Sequence, residues 1–467
     1  MATADHGDAF GALQAAINGQ LSAPKLSQEL SALGAYRHAG RSNPVAAFSA
    51  MVCDALPRSW PTAAVGEQLG EKQAAHGLLL QCLQDSGALG ELHPSALRLL
   101  FQDGQQLAAL AELRELLTKG GAAPLQAVVL AAGAAAAAAA VPAVAAAPED
   151  AFFACPLKSV PLFLREVAAA AARLVAQPGR AAGDQAALAA LTRAVQAALS
   201  GALHQRSHHQ QWFSTAFKVA GAGYDGQPEW TAGEGVRAAL AALAEAACRL
   251  HASLPAALRA ENAQLVLELT DRLLNCWAAA AAAAAAALPS AQRAELRGAY
   301  ANAKGRLLGW LLVQAQAQGL REPEGEHLLR RVEGLAEAHQ ASPQLYDIAR
   351  ATGDRDTLYR QMEQLEGEEG PFAHFVFGRL LNDGRAAELM DLPSQFDAAL
   401  HAWLSDAAGE DAPARARLLW LHEIRCQEYG AVAGSLGALV AAQAAGLGEE
   451  EVERMLALKK LAALAAA

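Results

Sequence analysis

Aromatic residues make up only 5% of this 467-residue chain, and runs in which β-branched residues alternate with polar ones are almost absent. Such runs are the usual material of a sheet, so their scarcity argues against a β protein. Apolar residues instead recur at helical spacing along the chain, within an alanine-rich background. The sequence therefore predicts an all-α protein.

Basic charge is also scarce. Lys and Arg together number 37 against 48 Asp and Glu, which gives a formal net charge of -11. Nucleic-acid affinity rests largely on clustered Lys and Arg, and no such basic face is visible, so direct nucleic-acid binding is not expected. The acidic residues concentrate at 322–326, 363–369 and 449–453, where solvated helix ends and turns are predicted.

Cysteine pairs are missing as well. The six cysteines, at positions 53, 82, 155, 248, 276 and 426, are far apart and form no CxxC motif. This spacing predicts free thiols in a reducing compartment, and neither a disulfide framework nor a zinc module.

No targeting or membrane-spanning segment is predicted. The first eight residues have no basic stretch followed by an apolar one, so a secretory signal is not expected. Of two alanine-rich tracts, 122–147 is interrupted by Gln126, Gly133 and Pro142, and 278–287 is too short to cross a bilayer. Both tracts are interpreted as helix extensions or low-complexity inserts.

Glycine and proline divide the chain into four predicted parts. These are a helical solenoid part over 1–220 with an alanine-rich insert near 122–147, a glycine-rich loop over 221–235, a spine of long helices over 236–318, and a solenoid of helix pairs over 319–467. Helices are predicted at 234–253, 256–287 and 290–318. The inner face of the last is predicted to carry Leu296, Tyr300, Leu307, Leu308 and Leu311.

The last part reads as short amphipathic helices separated by brief turns. Asp354 is predicted to cap a helix over 355–366, and Ser394 with Asp397 resembles a capping box. Asp411 is predicted to cap a helix whose inward residues are Leu418, Leu419, Leu421 and Ile424.

Helices joined by short loops are antiparallel neighbours, and a train of such pairs must stack to bury its apolar stripes. No strict period of about 34 residues fits them. The expected architecture is an irregular α-solenoid of stacked antiparallel helix pairs.

Three ordered segments suggest a family. The runs FVFGRLLNDGR at 375–385, LLWLHEI at 418–424 and LKKLAAL at 458–464 resemble the middle solenoid of the nucleoporin 133 family, with weaker likeness at 71–90 and 224–231. The packing positions that carry this resemblance are Phe375, Phe377, Leu419, Trp420, Leu421, Lys459 and Lys460.

The resemblance implies a structural scaffold subunit of the nuclear pore outer ring, the Y complex, at the nuclear envelope. It implies a role in pore assembly and in mRNA and protein transport, with the stem neighbour and an adjacent Y complex as partners. The family also has an N-terminal β-propeller that senses membranes and a further C-terminal helical block. Neither is expected here, so the chain is interpreted as a fragment or shortened version, and membrane contact is expected only through the absent propeller.

Motifs for chemistry are weak. Residues 221–226 fit GxGxxG but lack the preceding strand that a dinucleotide site needs. His204, His208 and His209 share a helical face without a further ligand, and Glu324 with His327 is only half of a di-iron signature. No catalytic, cofactor-binding or metal residue is predicted, and no cofactor.

Two other functions stay open at this point. A vesicle-coat or tethering solenoid would share the architecture and differ only in its partners. An all-α enzyme with its site in a cleft between helices is the other. Trp403, Trp420 and Phe375 are interpreted as core residues, although interface anchors would have the same spacing.

Overall fold

The computed structural model describes residues 5–54, 65–120, 123–139, 148–176, 181–219, 229–287, 289–320, 322–367, 370–406, 411–443 and 449–467. In these residues the regular structure consists of 22 α-helices, four short 3-10 turns and one two-stranded ribbon. Neighbouring helices stack on one another, which confirms the all-α solenoid class. The contacts divide the chain into two compact units, Met1–Ala317 and Gln318–Ala467.

The first unit contains thirteen helices. They are α1 (Asp5–Ile17), α2 (Ala23–Ala32), α3 (Pro44–Asp54), α4 (Val65–Asp85), α5 (Ala88–Glu91), α6 (Pro94–Thr118), α7 (Ala123–Ala139), α8 (Pro148–Ala154), α9 (Pro156–Ala176), α10 (Ala181–Val219), α11 (Glu234–His251), α12 (Ala256–Ala287) and α13 (Ser290–Gln318). Short 3-10 turns lie at Ala35–Arg37, Gly40–Ser42 and Trp230–Ala232.

Partners in the first unit are often distant in sequence. Helix α6 packs along α10 and also meets α3, while α9 packs along α11. One core cluster joins α1, α2 and α4 to the C-terminal end of α10, with Phe48 and Phe213 among its fully buried side chains. This part of the solenoid is therefore irregular, because several helices bury their apolar faces against helices that do not follow them directly in the sequence.

Buried polar contacts hold α3 to its surroundings. The Asp103 carboxylate on α6 accepts hydrogen bonds from the Arg41 guanidinium and from Ser49 Oγ, the latter at 2.7 Å. The Lys72 ammonium on α4 donates to the carbonyls of Cys53 at 2.8 Å and Ala154 at 2.5 Å. Those carbonyls belong to the last turns of α3 and α8, so one cation satisfies two helix ends.

The alanine-rich tract forms a packed helix over its described part. Helix α7 packs against α8 and α9 and buries Leu125, Val128 and Val129. At Gly133 the two backbones approach so closely that an added Cβ would lie 1.8 Å from the Pro148 carbonyl oxygen. The tract is thus part of the core, while residues 140–147 lie outside the described residues.

The tract at 278–287 continues α12 and buries Ala280, Ala283 and Ala284. The next helix, α13, buries Tyr300, Leu307, Leu308 and Leu311 as predicted, but Leu296 is only half-buried. Among the described helices, α10 alone is long and apolar enough to cross a membrane, and 61% of its apolar window is buried inside the protein. All six cysteines are free thiols, as the sequence predicts.

The second unit contains nine helices. They are α14 (Pro323–Ala338), α15 (Ser342–Thr352), α16 (Arg355–Gln364), α17 (Phe372–Asn382), α18 (Ala386–Met390), α19 (Asp397–Ser405), α20 (Ala412–Arg425), α21 (Tyr429–Gln443) and α22 (Glu449–Ala466). Strands β1 (Glu366–Gly367) and β2 (Gly370–Pro371) pair antiparallel. The sequence predicts only an acidic turn for this segment.

Of the helix N-terminal caps predicted in this unit, the structure confirms one and contradicts another. Asp354 caps α16 by accepting from the Thr357 amide at 2.9 Å, which confirms the prediction. The capping box at Ser394 and Asp397 is wrong: residues Ser394–Phe396 form a 3-10 turn with no side-chain cap, and the Asp397 carboxylate pairs with Arg425.

Candidate functional site

Helix α20 turns a polar face inward. Arg415, His422 and Glu423 are buried, whereas Leu421 and Ile424 are 40% and 38% exposed. The predicted inner face of this helix was therefore wrong at Leu421 and Ile424, whereas Leu418 and Leu419 are half-buried. Helices α19, α20 and α21 enclose a set of polar side chains, the α20 cluster, defined as Asp397, His401, Arg415, His422, Glu423, Arg425, Cys426 and Ser435.

Partners on the neighbouring helices satisfy most of these groups. Arg415 donates to the Trp403 carbonyl at 3.0 Å, and its guanidinium lies 5.2 Å from the centre of the Trp403 ring. A carboxylate oxygen of Glu423 accepts from Ser435 Oγ at 2.8 Å and lies 3.7 Å from His401 Nε2. The partners lie 12 to 25 residues away in sequence, so the spacing of residues along one helix does not predict them.

Three donor atoms converge at the α19 end of the cluster. One atom each from Asp397, His422 and Cys426 lies within 4.8 Å of the other two. His422 Nε2 is 3.1 Å from the Asp397 carbonyl oxygen and 3.6 Å from Cys426 Sγ. Burial, followed by the neighbouring His401, lowers the pKa of His422 and so favours the neutral imidazole that a metal ion requires.

Arg425 fixes the position of Asp397. Its guanidinium pairs with Asp397 Oδ1 and donates to the carbonyls of Met390 and Leu392, the latter at 3.1 Å. The cluster thus contains sulfur, nitrogen and oxygen donors, and the Arg425 guanidinium holds the carboxylate among them. The cluster was not predicted from the sequence, although Asp397 with His401 and His422 with Cys426 are both four residues apart.

The histidines considered in the sequence lie elsewhere. His204 and His208 are exposed in the middle of α10, and His209 is buried with its ring 5.1 Å from that of Trp212. Among the described residues, they do not converge with a further metal donor. They lie in the interior of α10, which continues for ten residues beyond His209 to Val219.

Neither of the two remaining motifs adds a described site. Glu324 and His327 are exposed on the first turns of α14. The GxGxxG sequence at 221–226 lies outside the described residues.

The positions that carry the family resemblance are spread over α17, α20 and α22. Phe377 is fully buried, with its ring 5.7 Å from that of Trp403, and Trp420 packs against Val432 and Leu436. Of the other positions, three are half-buried, namely Phe375, Leu419 and Lys459, and two are exposed, namely Leu421 and Lys460. They therefore do not form one site.

A cavity of about 240 Å³ lies between α15 and α18 in the second unit. Its lining includes Tyr346, Tyr359 and Arg385, and the Arg385 guanidinium is paired with Glu388. The volume is below the range of about 300 to 1,000 Å³ typical of small-molecule sites, and the positive charge is largely matched. The α20 cluster is the stronger candidate.

Comparison with known proteins identifies no family. No protein-family model matches the chain, and no curated protein is significantly similar to it. The likeness to nucleoporins therefore rests on the quoted sequence segments.

Proposed function

We propose that this protein is a non-catalytic scaffold built from stacked helices. The observation that carries the proposal is the order of packing in the second unit. From α14 to α17 each helix packs on the next, α17 meets both α18 and α19, and α19 to α22 again pack in sequence. Such a stack offers a long surface for partners and can be extended by another helix at its end.

The likeness to the nucleoporin 133 family gives the proposal its finer form. The protein would serve as a subunit of the outer ring of the nuclear pore, bound to other Y-complex nucleoporins at the nuclear envelope. There it would support pore assembly and the transport of mRNA and protein. The three similar segments lie mainly in α17, α20 and α22, which suits a structural frame and not a reaction centre.

The outer face of α22 is where we expect a partner helix to pack. Leu461 and Leu464 are 63% and 74% exposed, and Leu456 and Leu458 are also exposed. Helices α19, α20 and α21 are each packed against the next helix, whereas these leucines of α22 stay exposed, so they offer the surface that a partner helix would cover. Exposed apolar residues grouped in this way are typical of protein interfaces.

Affinity capture from a nuclear-envelope extract tests the proposal. The bait is the full chain, compared with a double variant, Leu461→Glu with Leu464→Glu. The matched control is Val313→Glu, at a position of the first unit that is 56% exposed. We expect the parent and the control to recover Y-complex nucleoporins and the double variant to lose them.

Two outcomes contradict the proposal. Recovery of vesicle-coat or tethering subunits without Y-complex members would assign the scaffold to another assembly. Unchanged recovery by the double variant would show that the outer face of α22 is not the interface. Circular dichroism of each variant checks that helix content is retained.

A further inference from the structure

Two pairs of metal-binding side chains face each other in the α20 cluster. Asp397 and His401 are four residues apart on α19, and His422 and Cys426 span the same interval at the end of α20. Residues at this spacing lie on one face of a helix. The two rings, His401 and His422, have their centres 6.1 Å apart, so both pairs point into one space.

The distances suit a tetrahedral ion. With Zn–N near 2.05 Å and Zn–S near 2.3 Å, the edge between the two donors of a tetrahedron is about 3.6 Å. The separation of His422 Nε2 and Cys426 Sγ is 3.6 Å. All three donor atoms, including that of Asp397, already lie within 4.8 Å of one another.

The donor types select the class of metal. Magnesium and calcium take oxygen ligands, whereas zinc accepts thiolate, imidazole and carboxylate together. Cobalt(II) binds the same donors and can be detected by its absorption, so it is a suitable probe.

The surroundings provide support of the kind that metal sites use. Arg425 holds Oδ1 of Asp397, which leaves Oδ2 as the donor. A ligating carboxylate is commonly hydrogen-bonded in this way by an outer residue. His422 is fully buried, so its ring orientation is set by packing.

We propose that Asp397, His422 and Cys426 bind one zinc ion, with water in the fourth position. Binding releases the Cys426 thiol proton to solvent. The contact of His422 Nε2 with the Asp397 carbonyl gives way to the metal bond, and the imidazole proton is then carried on Nδ1. The ion links α19 to the end of α20 and so stiffens this part of the second unit.

Cobalt titration of the metal-free full-length protein tests the site. We expect one cobalt(II) ion per chain, with a thiolate-to-cobalt absorption band that zinc abolishes by displacement. Cys426→Ser should remove the band and weaken binding at least tenfold, as loss of a metal ligand or of its outer-shell partner typically does. Asp397→Asn should weaken binding and keep the band.

Cys82→Ser is the matched control, because Cys82 is also half-buried but lies in the first unit. It should bind cobalt like the parent. Absence of a thiolate band in the parent, an unchanged band in Cys426→Ser, or a loss in Cys82→Ser equal to that in Cys426→Ser would overturn the proposal. Circular dichroism and the urea midpoint of the metal-free variants separate loss of the ligand from loss of the fold.

Discussion

At the scale of single residues, the stability of the first unit depends on charges that are buried beside their partners. The Asp103 side chain is 1% exposed and that of Arg41 is 40% exposed. Burial raises the pKa of Asp103, and the bonds from Arg41 and Ser49 oppose that rise. Asp103 therefore depends on a partner that reaches it from the surface.

Removing the Arg41 guanidinium should destabilise the fold. We expect Arg41→Ala to lower the free energy of unfolding by about 3 kcal/mol, because it leaves a buried carboxylate without its cation. The control is Arg165→Ala, which removes the more exposed pair with Glu166 at 3.5 Å and should cost about 0.5 kcal/mol or less. Urea denaturation measures both, and equal losses in the two variants would contradict the assignment.

His76 should make the first unit sensitive to acid. It is buried beside Gly104, where an added Cβ would lie 2.8 Å from its ring, and burial lowers its pKa from 6.5 to about 4. The unfolded chain therefore takes up the proton at a higher pH than the folded chain. Stability should fall as the pH drops below 6.5 and continue to fall until about pH 4.

Mutation of His76 can isolate its contribution to the pH dependence of stability. At pH 5 its protonation should cost about 2 kcal/mol relative to pH 7, and His76→Leu should abolish that difference. The control His38→Leu, at an exposed position, should keep the pH dependence of the parent. The urea midpoint at the two pH values gives the comparison, and an identical pH dependence of parent and His76→Leu would refute this interpretation.

At the scale of helices, the sequence predicted where helices begin and end better than it predicted which side of a helix is buried. The helices predicted at 234–253, 256–287 and 290–318 are observed within two residues, since proline, serine and glycine mark their ends. The prediction that Leu421 and Ile424 point inward from α20 was wrong. Arg415, His422 and Glu423 are buried instead, because they have partners on other helices. Local periodicity contains no information about such distant partners, and the α20 cluster was missed for the same reason.

Helix packing at Gly133 allows a sharp test of how closely α7 and α8 approach. We expect Gly133→Ala to lower the free energy of unfolding by about 2 kcal/mol, because the new methyl group would collide with the Pro148 carbonyl. Gly11→Ala on α1, where nothing lies within 4 Å, should instead stabilise by about 0.5 to 1 kcal/mol. Thermal unfolding followed by circular dichroism distinguishes the two, and a stabilising effect at Gly133 would show that the helices are further apart.

At the scale of the whole molecule, the division into two compact units has a direct consequence. The contacts of residues 318–467 are sufficient to define a unit of their own. We expect this segment, expressed alone, to be helical and to unfold cooperatively in urea. Phe377→Ala, at a fully buried position, should lower its stability by about 3 to 5 kcal/mol. A gradual, non-cooperative loss of helix would show that the segment does not fold by itself.

The place where the ends of α3 and α8 meet α4, called here the Lys72 corner, depends on the single amine of Lys72. Because its ammonium bonds the terminal carbonyls of both α3 and α8, acetylation of that amine would remove the charge and leave both helix ends short of a donor. Amine-reactive labels should reach this lysine more slowly than the exposed Lys119, so its labelling rate would report how often the corner opens.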